Sequence, residues 1–205
     1  VLVKTTGCGK TWTSVTGNLP ALGNINALRE DYDNPNLLFV GTEFGLFVTL
    51  DGGRDWKKFM NNLPSVRVDD ILIHPRDRDL IVATHGRSFY VLDDIGPLRQ
   101  YSGEYASTTD VFLFAPDDPI RSHRTAAIRY WVKKPVANAT IEIVDPKGTV
   151  VRTFPGPATG GGGGGGRGGG GGAQAAGPLP MNPGFNSVTW DLRYPGATSF
   201  PGMIL

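Results

Sequence analysis

Thr49-Leu50-Asp51-Gly52-Gly53-Arg54-Asp55-Trp56 is the stretch whose reading decides the fold. Its chemistry is that of a tight β-turn. A carboxylate at Asp51 can accept backbone N–H groups inside the turn, and Gly53 supplies the positive φ that a side chain would resist. Trp56 then offers a large apolar surface to pack between sheets. A second copy, Thr5-Thr6-Gly7-Cys8-Gly9-Lys10-Thr11-Trp12, keeps Thr5, Gly9, Thr11 and Trp12 but has Gly7 where the carboxylate stands, so its turn is less well capped.

The two tryptophans are 44 residues apart, and so are Asn18-Leu19-Pro20 and Asn62-Leu63-Pro64. Between them Leu38-Phe39-Val40-Gly41-Thr42 is answered 42 residues later by Leu80-Ile81-Val82-Ala83-Thr84. A period in the low forties, built of short apolar runs and turn residues, matches a four-stranded propeller blade. One blade cannot bury its own faces, so the repeat implies neighbouring blades, including upstream ones.

Around this repeat the chain reads as all-β. Runs at Leu37–Val40, Gly45–Leu50, Asp70–Ile73, Leu80–Thr84 and Phe89–Leu92 are rich in β-branched and aromatic residues. Turn residues bound them at Asn34-Pro35, Asp51-Gly52-Gly53, His74-Pro75 and Gly86. Residues 1–100 form this repeat region and 101–125 a connector with one strand candidate, Val111–Phe114. Over 126–205, Ala127–Val132, Thr140–Val144, Val150–Phe154 and Asn186–Leu192 read as strands of a second β domain, with a Pro-x-Gly type hairpin turn at Asp145–Gly148. Of the 29 glycines, 12 fall in residues 160–172. The reading is therefore a disordered glycine-rich loop over 155–183, inserted in one domain at a closure cost that grows only logarithmically.

Composition excludes several function classes. Lys+Arg 20 against Asp+Glu 19 gives a net charge of +1, with no electrostatic case for nucleic acid. No apolar run approaches the roughly 20 residues of a membrane span. One cysteine, Cys8, rules out an internal disulfide. The three histidines lack metal-ligand spacing, so no metal or cofactor is expected. Gly9-Lys10-Thr11 resembles the tail of a phosphate-binding loop, but Lys4 stands where that loop needs glycine. Val1 inside an apolar run and the apolar end Met203-Ile204-Leu205 read as cut ends of a longer parent.

The two turn motifs resemble the Asp-box, or bacterial neuraminidase repeat, and Ala83-Thr84-His85-Gly86-Arg87-Ser88-Phe89-Tyr90-Val91-Leu92-Asp93-Asp94-Ile95 is similar to the closing blade of bacterial sortilin-type propellers. The segment Phe185–Arg193 is similar to the immunoglobulin-like module of flagellar hook-capping proteins. The resemblance implies a partial Asp-box β-propeller of about two blades, then an incomplete Ig-like β-sandwich. It also implies a secreted, periplasmic or cell-surface protein that binds a peptide, protein or glycan without catalysis. Glycoside hydrolase and structural cell-surface protein are the alternatives. Thr5, Gly9, Thr11, Trp12, Thr49, Asp51, Gly53 and Trp56 then hold hairpins. His85 and Arg87, in a loop after an apolar strand, are candidate ligand contacts, against a loop hydrogen bond between blades.

Catalysis by a pair of carboxylates has little to draw on. Asp31, Asp33, Asp69, Asp70, Asp93 and Asp94 are the candidates, and neighbours in a strand point to opposite faces. Arg29, Arg67 and Arg87 are isolated in sequence. Phe44, Phe89 and Tyr90 are candidates for a sugar-stacking platform, although aromatics in alternating strands belong more often to the core.

Overall fold

A computed structural model describes residues 1–101, 109–116, 125–136, 139–156 and 178–194. It is all-β, with small antiparallel sheets and, among the described residues, one short helix, and divides into two units, Val1–Tyr105 and Ala106–Leu205.

The first unit opens with a hairpin of β1 (Val3–Lys4) and β2 (Thr13–Ser14). A four-stranded sheet follows, β3 (Ile25–Glu30), β4 (Leu38–Thr42), β5 (Gly45–Thr49) and β6 (Lys57–Lys58), paired in chain order. A three-stranded sheet of β7 (Val68–Ile73), β8 (Leu80–Thr84) and β9 (Phe89–Leu92) repeats that order one strand short. The helix α1 (Gly96–Gln100) starts with a proline in its first turn, where the missing N–H costs nothing.

Alternation along these strands creates a stack. In β4, Leu38 and Val40 join Leu19, Phe47 and Trp56 in one core, on the side of the first hairpin. Phe39 of the same strand joins Leu46, Val48, Val68, Ile71, Ile73, Leu80 and Val82 in the next core, between the two larger sheets. Opposite faces of one sheet thus bury into two successive layers, as period-two side chains require. Each fully buried aliphatic here contributes about 1.5–3 kcal/mol of transfer free energy.

The first strands of the two larger sheets, β3 and β7, run side by side in the same direction. Asn26 Nδ2 donates to the Val68 carbonyl at 3.2 Å and Arg29 Nε donates to the Ile71 carbonyl, both across 42 residues. Gly41 lets the sheets close, because a Cβ there would lie 2.6 Å from Val68 Cγ1. The opposite face of the last sheet is open: Leu72, Phe89 and Val91 are exposed.

The second unit pairs β10 (Val111–Leu113), β11 (Ala126–Val132) and β14 (Gly184–Trp190) in one sheet, and β12 (Ile141–Val144) with β13 (Val150–Phe154) in another. Tyr130, Val132, Phe154, Leu179 and Met181 form its core, flanked by Ile141, Ile143 and Val188. The Asp145–Gly148 turn closes as expected, with Asp145 Oδ1 accepting Lys147 and Thr149 N–H groups at 2.8 Å and Gly148 at φ 84°.

Several sequence expectations shift. β2, β3, β6 and α1 go beyond the sequence expectations, being too weakly patterned or too short to carry a period, whereas β1 overlaps the strand-like run Val1-Leu2-Val3. β10 belongs to a sheet of the second unit rather than to a connector. In the loop expected over 155–183, residues 155–156 and 178–183 carry no regular structure, but the C-terminal part packs on the second unit. Leu179 and Met181 are buried, Leu179 N–H bonds the Pro155 carbonyl, and Tyr130 Oη donates to the Pro180 carbonyl at 2.6 Å. Residues 157–177, with the whole glycine run, lie outside the described residues.

Candidate functional site

The side chains singled out in the sequence separate to two ends of the first unit. The turn motif of residues 49–56 lies at the end where β3 passes to β4, since Gly52 N–H bonds the Asn36 carbonyl at 2.9 Å. The turns β4–β5 and β8–β9, with Phe44, His85 and Arg87, lie at the opposite end.

At the first end, Asp51 organises the turn. Its Oδ1 accepts the Arg54 and Asp55 N–H groups, each at 3.0 Å, and the Thr49 hydroxyl at 2.7 Å. Burial pushes the Asp51 carboxyl up, but the Asp55 N–H, the Thr49 hydroxyl and the Arg54 N–H and charge outweigh it and hold the group below its ordinary value. Thr49 Oγ1 also accepts Asp51 and Gly53 N–H groups at 3.4 and 3.1 Å. Gly53 has φ 96°, and a Cβ there would strike Val15 at 2.7 Å. Trp56, 4% exposed, donates Nε1–H to the Val15 carbonyl at 3.0 Å.

The first copy keeps part of this geometry. Thr5 Oγ1 accepts Gly7 and Gly9 N–H groups at 3.4 and 3.1 Å, the same pair of contacts that Thr49 makes. With no carboxylate at Gly7, the Lys10 N–H turns to the Gly7 carbonyl at 3.2 Å instead. Trp12 is 60% exposed and bonds only back into its own turn, at the Gly9 carbonyl. Thr11 is exposed and heads toward β2.

At the second end, His85 Nδ1 lies 3.1 Å from Asp69 Oδ2, and the His85 N–H bonds the Arg67 carbonyl at 2.9 Å. Arg67 Nε sits 2.6 Å from Asp69 Oδ1, an ion pair by distance whose angle falls short of a hydrogen bond. Arg87 is exposed and makes no ion pair or hydrogen bond among the described residues. The segment that carries it, residues 84–88, is closed by the Thr84 N–H and hydroxyl on the Ser88 carbonyl at 3.1 and 2.7 Å. Ser88 is held at φ 68°, a left-handed conformation costing about 1 kcal/mol or more for a residue with a Cβ. In the neighbouring turn Phe44 is half exposed over Gly23, and Asn24 bonds Glu43. Phe44 and Phe89 are thus surface residues, whereas Tyr90 packs on the core.

Most of the candidate carboxylates are engaged with cations or backbone N–H groups. Asp31 is buried and bonds Arg99 Nε at 2.9 Å, while Asp33 pairs with the same guanidinium. Asp69 faces Arg67 and His85, whereas its neighbour Asp70 turns to Arg29 and to its own strand. Asp94 accepts the Gly96 N–H at 2.9 Å, and Asp93 is exposed. His74 bonds Asp77 in a local turn; His123 lies outside the described residues. Among the described residues no His/Cys/Asp/Glu group suited to a metal ion occurs. No helix there is long and apolar enough to cross a membrane.

Sequence reasoning missed Arg67 and Asp69 as partners of His85. The pairing crosses 16 residues and depends on β7 and β8 being adjacent, which spacing alone does not reveal. It also missed Asn18, which secures Trp56 across 38 residues, although the recurrence of Asn18 at Asn62 was a usable signal.

The geometry defines an all-β chain whose first unit is a stack of small antiparallel sheets. Searches against protein families, curated proteins and solved structures find no match for it.

Proposed function

We propose that residues 1–100 are consecutive blades of an Asp-box β-propeller of the sortilin-like kind, and that this propeller is a non-catalytic recognition scaffold. The observation that carries the reading is the repeat distance in space. Equivalent strands β3 and β7 touch through contacts 42 residues apart, in the same direction, with sheets stacked face to face. A radial array of blades has this arrangement.

Two further features favour it. Ile81 and Val91 of the last sheet stand where Phe39 and Val48 stand in the preceding one, and those two are buried by the next layer. Among the described residues, the last sheet also has no counterpart of β6 on its β9 edge. Both leave room for a further blade of the same kind. The second unit is read as an incomplete Ig-like sandwich, serving as spacer or packing module, and the protein as secreted, periplasmic or cell-surface.

The recognition surface is the end bearing Phe44, His85 and Arg87, where a peptide, protein or glycan would bind. Five of the six candidate aspartates are occupied by cations or backbone, which favours binding over glycoside hydrolysis. The test is to probe the 205-residue chain on glycan and peptide arrays beside a reducing-sugar assay. Binding that Phe44→Ala and Arg87→Ala weaken and Trp12→Ala does not is the expected result. Release of reducing sugar would overturn the non-catalytic reading.

A further inference from the structure

The cluster Arg67–Asp69–His85–Arg87 has a chemistry more specific than a general recognition rim. Asp69 accepts and cannot donate, so the contact at 3.1 Å requires the proton on His85 Nδ1. In the neutral ring this leaves Nε2, on a side chain that is 72% exposed, as a hydrogen-bond acceptor. Guanidinium groups are carried at the same end of this sheet: Arg67 shares Asp69 with His85, and Arg87 lies in the same turn as His85. Arg67 spends Nε on Asp69, and its terminal nitrogens make no bond among the described residues. Arg87, two residues beyond His85, is wholly uncommitted there.

The turn itself is built to present these groups. Gly86 at φ 73° has nothing within 4 Å of a would-be Cβ, so the space over the turn is open. Ser88 carries the left-handed strain, while the Thr84–Ser88 bonds and the His85 N–H to Arg67 carbonyl bond fix the backbone. An exposed acceptor and charged donors gathered at one end of a sheet suit a ligand with both complements.

We propose that this cluster binds a small anion carrying an oxyanion and an O–H on the same or a neighbouring atom, the shared chemistry of hydrogen phosphate and of 2-hydroxy carboxylates. The oxyanion takes the guanidinium groups of Arg67 and Arg87, and the O–H donates to His85 Nε2. Asp69 orients His85 and, through its own charge, disfavours anions that bring no O–H. The site rests on the contacts among Arg67, Asp69 and His85 and on the place of Arg87 in the same turn, and does not depend on the propeller reading.

The test is NMR of the histidine ring nitrogens in the 205-residue chain, titrated at fixed pH and ionic strength with phosphate, sulfate, lactate and acetate. His74, held in its own turn by Asp77, is the internal control. The expected result is a saturable shift at His85 Nε2 with phosphate, with lactate, or with both, and none with sulfate or acetate. Phosphate alone assigns the tetrahedral anion and lactate alone the hydroxy acid. Arg87→Gln should weaken binding by roughly tenfold or more, the size of one charge-assisted hydrogen bond. Equal shifts with sulfate and phosphate, equal shifts at His74, or no shift with any anion would each overturn the proposal. Empty arrays with an intact anion titration would count against the recognition reading only.

Discussion

Asn18 holds the backbone of Trp56 from both sides: its Oδ1 accepts the Trp56 N–H at 2.6 Å and its Nδ2 donates to the Trp56 carbonyl at 3.1 Å. The same amide reaches Asp55 Oδ1 at 2.8 Å. One side chain thus ties the end of one layer to the turn of the next. Asn18→Ala strips the partners from a part-buried backbone N–H and carbonyl, and should destabilise the first unit by about 1–3 kcal/mol. Urea unfolding followed by tryptophan fluorescence measures it, as a lower midpoint with the slope unchanged.

The two tryptophans should behave as opposites despite their matched motifs. Trp56→Ala removes a buried ring and should cost about 3–5 kcal/mol. Trp12→Ala, at an exposed turn, should stay within about 0.5 kcal/mol of the parent. Iodide quenching gives an independent check, with Trp12 accessible and Trp56 protected.

Asp51 adds an acid-sensitive term. Its folded pKa is depressed, so the stabilisation is complete above the unfolded value of 3.8 and fades as pH falls through the lower folded value. Asp51→Asn should flatten that part of the stability–pH profile between pH 5 and the acid limit, about the window in which such a carboxylate protonates. Thermal melts of both proteins over this range read the difference, and parallel curves would contradict it.

The Arg99–Asp31 pair joins α1 to the β3–β4 turn, with Asp31 also accepting the Asp33 and Asn34 N–H groups at 3.1 and 2.9 Å. Arg99→Met leaves a buried carboxylate without its cation and should cost about 3–5 kcal/mol. Adding Asp31→Asn, which keeps the two acceptor contacts, should recover part of that loss. A double-mutant cycle by chemical denaturation reads the coupling.

How much of this was legible in sequence follows from how local each interaction is. The Asp51 turn was readable because its capping contacts span no more than four residues, and Gly53 announces its own backbone conformation. β8 and β9 were readable with their bounds, as dense apolar runs between turn residues. β3 was not, because besides its ladder with β4 it is anchored by Asn26 and Arg29, polar side chains that reach β7 across the stack. Leu179 and Met181 sit in a stretch whose prolines and glycines read as loop, and only the facing sheet makes them core. The His85 cluster was half legible: the turn residues and Asp69 each stood out, but the pairing of Asp69 with His85, which orients the ring, did not.

The central claim is that the 42-residue repeat in sequence is a repeat in space, with the β3–β6 sheet stacked directly on the β7–β9 sheet. The most direct measurement is the nuclear Overhauser contact between the Gly41 α-protons and the Val68 methyls, taken together with the stability of Gly41→Ala. Stacking predicts a strong cross-peak and a clear loss of stability in the variant, since the added Cβ would lie 2.6 Å from Val68 Cγ1. An absent cross-peak with Gly41→Ala as stable as the parent would contradict it.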